Sequence, residues 1–362
     1  MDSHLVRNAT ITPDNPDGLN KLLPWLVTSG REGNVCVQLG GGGMGSDYES
    51  KLGDDSQTSN NIISPVELNS GVDRNSIGTL CKAASLVTAY NGTCRQSDGT
   101  PSFSELNINC GCPSKSARRG GFGAELMRLP SQDHTRVAIH QVVREVGCDI
   151  PVSVKCRIGV TSNVNYGDVN SDRIGYRQLS NFVVDMKSVG IKKIIVHARV
   201  CVLCGLSTGE NRTVPPLRYE VVNSLVRDFR DMEFVVNGGV GGLDEAEELL
   251  GWRETPKKNA VSCSCSDAPV ATARNRLLCN LGSDDDWKSS SPIDETNKYY
   301  PSSVMIGRHA YNSPLSFWNA DSRFYNATDQ NPTLRSILEQ YVDYATGVQE
   351  EGPAYMNFVK CT

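Results

Sequence analysis

The 362-residue sequence lacks several features, and each absence excludes a class of protein. It has no run of about 18 apolar residues, so no membrane-spanning helix is expected. Its first residues include no apolar segment, which argues against a secretory signal peptide. Basic side chains are outnumbered by acidic ones, and the formal net charge is −5. That balance argues against a general nucleic-acid surface, although local basic patches matter more than the total.

Familiar catalytic and metal-binding patterns are also missing. No Ser-His-Asp or paired-carboxylate motif is recognisable. The 13 cysteines are an odd number at irregular spacings, in a chain too long for a disulfide scaffold. Free thiols in a reducing compartment are the simpler interpretation, so we expect a cytoplasmic protein. A zinc site built from Cys201, Cys204, Cys263 and Cys265 is an alternative, but these spacings match no common zinc site, and we expect no metal.

Strand and helix patterns alternate along the chain, which favours a parallel sheet with crossover helices. Short apolar segments predict six strands, and apolar residues at helical spacing predict the intervening helices. The predicted strands cover about 35–39, 106–109, 151–157, 193–197, 233–237 and 304–306. The predicted helices cover about 19–27, 77–90, 134–146, 172–189, 218–229, 243–252 and 334–344.

Polar residues and glycines follow almost every predicted strand. A (β/α)₈ barrel keeps its chemistry at the carboxyl ends of its strands, so this pattern favours an enzyme of that type. Polar residues end strands in many proteins, but a series of Lys, Arg, His and Cys is poorly explained that way. These residues are Gln38, Asn109, Cys112, Lys155, Arg157, His197, Arg199, Asn237, Gly238, Gly239, Gly307 and Arg308.

One strand end places a thiol on a turn. Gly111 and Pro113 interrupt the strand that ends near Asn109, and they leave Cys112 at its carboxyl end. Basic residues and a glycine-rich segment follow, so Cys112 is a candidate proton donor or nucleophile. The range 40–45 contains a formal G-x-G-x-x-G, but no helix follows it, and we reject a dinucleotide site there.

These motifs resemble those of a known family. Asn109-Cys110-Gly111-Cys112-Pro113, followed by Gly120–Met127, is similar to the signature of the tRNA-dihydrouridine synthases, which are flavin enzymes on a (β/α)₈ barrel. Residues 197–199, 205–207 and 211–217 resemble the A-type branch, which acts on D-loop uridines of the 20/20a type.

The resemblance implies a reaction and a set of site residues. NADPH would reduce FMN, hydride would pass from flavin N5 to C6 of the uridine, and Cys112 would protonate C5. Asn109 would help to hold the base. The implied flavin contacts are Gln38, Lys155, His197, Asn237, Gly238, Gly239, Gly307 and Arg308, and the candidate tRNA phosphate contacts are Arg118, Arg119, Arg199 and Arg212.

The sequence departs from this family in having six predicted strands where eight close a barrel. We therefore expect an incomplete (β/α)₈ TIM-barrel type, truncated at both ends and monomeric. Residues 1–310 would form the flavin-binding catalytic domain, with insertions at about 43–74, 91–103 and 254–300, and residues 311–362 a partial helical tRNA-binding segment. Two alternatives stay open: a flavin barrel that reduces a small molecule, and an inactive paralogue that only binds RNA.

Overall fold

The computed structural model describes residues 34–41, 74–93, 99, 102–128, 132–161, 175–252, 299–325 and 332–350. Within these ranges the chain forms eight strands. In chain order they are Cys36–Leu39 (β1), Glu105–Cys110 (β2), Val152–Arg157 (β3), Val160–Thr161 (β4), Lys193–His197 (β5), Cys201–Val202 (β6), Glu233–Asn237 (β7) and Ser303–Met305 (β8).

Nine α-helices accompany these strands in the described ranges. They are Arg74–Thr93 (α1), Lys115–Arg119 (α2), Gln132–Val146 (α3), Gly175–Ser188 (α4), Tyr219–Asp228 (α5), Leu243–Leu249 (α6), Arg308–Asn312 (α7), Ala320–Phe324 (α8) and Leu334–Glu350 (α9). Short 3₁₀ turns lie at Gly123–Met127, Glu210–Arg212 and Pro314–Phe317. None of the helices described here is long and apolar enough to cross a membrane.

Six of the strands form one parallel sheet in the order β1-β2-β3-β5-β7-β8. Each strand therefore pairs with the strand of this sheet that follows it in sequence, as in a (β/α)₈ barrel. The six predicted strands and the incomplete barrel are confirmed for the described residues. The short strands β4 and β6 form a separate parallel pair that the sequence analysis did not predict, because two residues carry no periodic signal.

The predicted helices within these ranges are also confirmed, with shifted ends. Helix α3 ends where Gly147 adopts a positive φ of 63° and donates its backbone N–H to Val143 O at 3.0 Å. Helix α1 extends beyond its predicted end to residue 93. Its Asn91 amide exchanges two hydrogen bonds with the backbone of Phe103, at 2.7 and 2.8 Å. The predicted helix at 19–27 and most of the predicted insertions lie outside the described residues.

The two faces of the sheet differ in chemistry. Side chains alternate between the faces along each strand. On one face Leu106, Ile108, Val154 and Phe234 are buried in a core with apolar residues of α1, α3, α4 and α5. The opposite face carries mostly polar groups, from Glu105 and Lys193 at the amino ends of the strands to Asn109 and His197 near the carboxyl ends. These groups include Gln38, Glu105, Asn107, Asn109, Ser153, Lys155, Arg157, Lys193, His197 and Asn237.

Candidate active site

Two adjoining cavities open on the polar face at the carboxyl ends of the strands. One has a volume of about 420 Å³ and includes Cys112 in its wall. The other has a volume of about 460 Å³ and includes the turn after β7 and the start of α7. The two cavities share four lining residues, Lys155, His197, Arg212 and Met305. Their location is the one expected for the chemistry of a barrel enzyme.

Cys112 sits on a turn that Asn109 holds. The side-chain oxygen of Asn109 accepts hydrogen bonds from the backbone N–H groups of Gly111, at 3.0 Å, and Cys112, at 3.1 Å. The Cys112 thiol donates to Ser114 Oγ at 3.3 Å, and Ser114 in turn caps α2 by accepting from Ala117 N at 3.1 Å. The thiol is therefore half-buried and fixed between a strand end and a helix start.

Arg157 connects this turn to the loop after β6. Its side chain is only 3% exposed, its Nε donates to Gly111 O at 3.2 Å, and its Nη1 donates to Asn211 O at 2.9 Å. Asn211 is itself fully buried and exchanges hydrogen bonds of 2.8 Å with the backbone of Val202. Arg157 lies at a predicted strand end, but spacing alone does not reveal that its side chain connects two distant loops.

Lys155 and His197 are neighbours of Arg157 on the polar face. Burial, with a smaller contribution from Arg157, lowers the pKa of Lys155 to about 8. Burial likewise lowers the pKa of His197 to about 2, and the surrounding cations Arg157, Lys155, Arg199 and Arg308 add to the shift. Among the described residues Lys155 forms no ion pair. The imidazole is therefore neutral at pH 7, and the ammonium faces a cavity that suits an anionic or polar ligand.

The turn after β7 leaves no space for side chains. Gly238 and Gly239 have positive φ values of 114° and 70°. A Cβ on Gly238 would lie 2.4 Å from His197 Cδ2, and one on Gly239 would lie 2.4 Å from Leu217 Cδ1. Asn237 stabilises the neighbouring strand end by donating from Nδ2 to Met305 O at 2.8 Å. The backbone at this turn is thus open to the cavity beside Gly307 and Arg308.

The predicted phosphate-contact arginines have different environments. Arg199 donates to the backbone oxygens of Thr213 and Pro215 and so supports the loop that follows β6. Arg118 donates to Cys204 Sγ at 3.1 Å and lies 4.0 Å from the buried carboxylate of Glu125. Arg119 and Arg212 are exposed.

A third cavity, of about 730 Å³, shares the lining residue Pro113 with the Cys112 cavity. It is lined by basic side chains of α2 and by hydroxyl groups of the loop after β6. The polar lining residues are Lys115, Arg118, Arg119, Cys204, Ser207 and Thr208. The structure thus brings the basic side chains that the sequence placed after the Cys112 turn to the edge of the site.

Two buried side chains at this site were missed by the sequence analysis. Asn107 and Ser153 are 2% and 1% exposed and lie on the same face as Asn109 and Lys155. Their signal was present in the alternation of β2, where Glu105, Asn107 and Asn109 point the same way. Two polar residues among buried apolar neighbours indicate hydrogen-bonded partners, which in this case are on adjacent strands.

Comparison with known proteins gives consistent matches. Residues 98–253 match the family model for dihydrouridine synthase. A tRNA-dihydrouridine(20/20a) synthase of Synechocystis sp. is 31% identical over 242 residues, which cover 67% of this chain and 54% of that protein. A protein of the same name from Vibrio vulnificus is 30% identical over 253 residues, covering 70% and 59%. One from Pseudomonas putida is 37% identical over 164 residues, covering 45% of each. The chain spans about half the length of the curated relatives it matches.

Proposed function

We propose that this chain, which belongs to the dihydrouridine synthase family, reduces a uridine of tRNA to 5,6-dihydrouridine. The relatives' names favour the uridine at position 20 or 20a as the target. The single observation that carries the proposal is the Cys112 turn. A thiol held by Asn109 opens into a cavity that also contains Lys155 and His197, at the carboxyl ends of a parallel sheet.

The residues around the two adjoining cavities fit FMN. Ligand sites typically have volumes of about 300–1,000 Å³, and cavities of about 420 and 460 Å³ lie side by side. The Gly238–Gly239 turn would receive the phosphate, because both glycines line the second cavity and carry no side chain that would cover their backbone. Arg308 would add positive charge there, and Lys155 would lie near the polar edge of the ring, where it favours a negative charge. Gln38, His197, Asn237 and Gly307 complete the proposed contacts.

Bound FMN, reduced by NADPH, would supply a hydride to C6 of the uracil. The chain's own contribution is the second half of the reduction, a proton at C5. Cys112 Sγ–H is the proposed donor, and its hydrogen bond to Ser114 keeps the thiol at one position. Because uracil is reached only when the nucleotide is flipped out of the tRNA, the base must enter the cavity beside Asn109.

Basic side chains at this end of the sheet support tRNA as the partner. The chain carries a formal net charge of −5, yet Lys115, Arg118, Arg119, Arg212 and Arg308 all line the three cavities. Phosphates close to the flipped nucleotide would meet Lys115, Arg118, Arg119 and Arg212, whereas Arg308 would face the phosphate of FMN. Arg199 would contribute by holding the neighbouring loop. Recognition of NADPH, a monomeric state and a cytoplasmic location remain predictions.

The test compares Cys112→Ala with the matched control Cys148→Ala, whose thiol is exposed on a turn after α3. Both variants should bind flavin, as judged by the visible absorption spectrum. Mass spectrometry of tRNA incubated with NADPH should detect dihydrouridine with the control and at least about a hundredfold less with Cys112→Ala.

Other outcomes would select the alternatives. Unchanged dihydrouridine formation by Cys112→Ala would refute the role of Cys112. A flavin protein that oxidises NADPH with a small enone or pyrimidine but never modifies tRNA would be a small-molecule reductase. A colourless chain that binds tRNA would be an inactive RNA-binding paralogue.

A further inference from the structure

A continuous chain of side-chain hydrogen bonds crosses the polar face from the amino ends of β2 and β5 to the Cys112 turn. Its members come from four adjacent strands, β5, β2, β3 and β1. In order they are Lys193, Glu105, Ser153, Asn107, Gln38 and Asn109. Nothing in the proposed reaction requires the first four of these residues, so their arrangement needs its own explanation.

The lower half of the chain begins at an ion pair. Lys193 Nζ donates to Glu105 Oε2 at 2.8 Å, and the Glu105 side chain is 13% exposed. The other carboxylate oxygen, Oε1, accepts from the hydroxyl of Ser153. Ser153 Oγ then accepts from Asn107 Nδ2 at 2.7 Å. Both Ser153 and Asn107 are buried, so water does not substitute for these partners.

The upper half continues through two further amides. Asn107 Oδ1 accepts from Gln38 Nε2 at 2.7 Å, and Gln38 Oε1 accepts from Asn109 Nδ2 at 3.1 Å. This leaves Asn109 Oδ1 facing the turn, where it accepts from the backbone N–H groups of Gly111 and Cys112.

The chain has a direction, and the carboxylate determines it. An amide side chain fits almost equally well in two orientations that exchange its oxygen and nitrogen, so each amide depends on its neighbours. An ionised carboxylate only accepts, and therefore Ser153 must donate to Glu105. Ser153 then accepts from Asn107, and the same requirement passes through Gln38 to Asn109. With the chain reversed, Asn109 would present N–H groups to two other N–H groups.

We propose that Glu105 is a positioning residue that orients the Asn109 amide, and with it the Cys112 turn, through this directed chain. The catalytic importance of the Cys112 turn rests on the proposed function. The chain of hydrogen bonds is observed independently of that function. Glu105 contacts neither cavity's proposed ligand, so it acts only through the residues between. The ion pair to Lys193 holds the carboxylate in place.

Glu105→Gln tests the direction while preserving the shape of the side chain. The Lys193 ammonium would draw the oxygen of the new amide, which would turn its N–H groups toward Ser153 and drive the chain to reverse. Hydrogen–deuterium exchange of peptides covering Gly111 and Cys112 reports the result. We expect exchange at these two amides to become about tenfold faster or more, because they lose their acceptor.

A double variant separates reversal from general destabilisation. Ser153→Ala cuts the chain between Glu105 and Asn107, so the turn alone then orients Asn109. Ser153→Ala should therefore change exchange at Gly111 and Cys112 little. In the Glu105→Gln/Ser153→Ala variant, protection of these amides should return to the level of Ser153→Ala alone. If exchange at Gly111 and Cys112 in the double variant is instead as fast as in Glu105→Gln or faster, the proposal is wrong.

Glu233→Gln is the matched control, because Glu233 Oε1 also lies near Lys193 Nζ, at 3.8 Å, but lies outside the chain. It should leave both amides protected. If Glu105→Gln does not fold, adding Lys193→Met removes the ammonium that drives the reversal, and protection should be retained. Fast exchange at Gly111 and Cys112 in that variant would contradict the proposal. These measurements need neither flavin nor tRNA, so a failure of the proposed function would leave their outcome unaffected.

In the active enzyme, Glu105→Gln should lower kcat for tRNA reduction by a larger factor than it raises KM, because the Cys112 turn and the Asn109 amide change while the proposed contacts to tRNA phosphates do not. An equal decrease of kcat in Glu105→Gln and Glu233→Gln would instead mean that only the loss of a negative charge near Lys193 matters.

Discussion

The two faces of the sheet are built from the same six strands but are stabilised by different interactions. The helix-covered face buries Leu106, Ile108 and Val154, whose side chains gain free energy simply by leaving water. The open face buries Asn107, Ser153 and Arg157, which gain nothing from burial unless every polar atom finds a partner. The first face therefore needs volume and shape, whereas the second needs a particular set of hydrogen bonds.

The comparison teaches how a fold can separate stability from chemistry. Neighbouring residues on one strand serve different purposes, as Ile108 packs against helices while Asn109 holds the Cys112 turn. Substitutions on the apolar face should therefore act mainly on the free energy of unfolding. Substitutions on the polar face should act mainly on ligand binding, on pH dependence and on the geometry of the turn.

The largest effect is expected from breaking the apolar face. Phe182 on α4 is fully buried in the core, so Phe182→Ala should lower the free energy of unfolding by about 3–5 kcal/mol through lost transfer energy and a cavity. Urea denaturation followed by circular dichroism measures the change. Val184→Ala is the control, since Val184 lies on the same helix and is 52% exposed; it should cost about 0.5 kcal/mol or less. Equal losses would mean that α4 does not pack as described.

An intermediate effect is expected where the polar face meets the glycine turn. Gly238→Ala would place a Cβ 2.4 Å from His197 Cδ2 on a residue with φ of 114°. We expect a loss of about 1–3 kcal/mol in stability and at least about a tenfold weaker affinity for FMN, measured by fluorescence titration. Gly209→Ala is the control: its φ is −66° and the new Cβ would meet Ser207 Oγ at an ordinary 3.7 Å. Unaltered FMN affinity in Gly238→Ala would remove this turn from the proposed site.

The smallest expected effect is the pH dependence of the free energy of unfolding that His197 on the polar face contributes. His197 has a pKa of about 2 in the folded protein, whereas the imidazole of an unfolded chain takes up a proton below about pH 6.5. The unfolded state thus binds more protons between these values, and the free energy of unfolding falls as the pH decreases through this window. The slope from this group is at most about 1.4 kcal/mol per pH unit, and less because the ring is partly exposed to solvent.

Urea denaturation at pH 7, 6 and 5 measures this slope. His197→Gln should make it shallower, and His140→Gln, at an exposed position on α3, should leave it unchanged. The same slope in all three proteins would show that His197 does not carry the effect.

The sequence by itself determined the order of the elements and the identity of the polar face. Alternation placed Leu106 and Ile108 opposite Glu105, Asn107 and Asn109, and turn-forming residues marked the strand ends, because both signals are local. The strand-end residues Cys112, Lys155 and His197 could be singled out for the same reason.

Only the tertiary structure decided which of these groups meet. Arg157 reaches Gly111 and Asn211, which lie 46 and 54 residues away in sequence, and the chain from Glu105 to Asn109 passes through three strands. No local pattern encodes such contacts, because they depend on the register between strands and on loops that fold back over the sheet. The chemistry at the strand ends could thus be predicted as a list of residues, but its geometry follows from how the strands align.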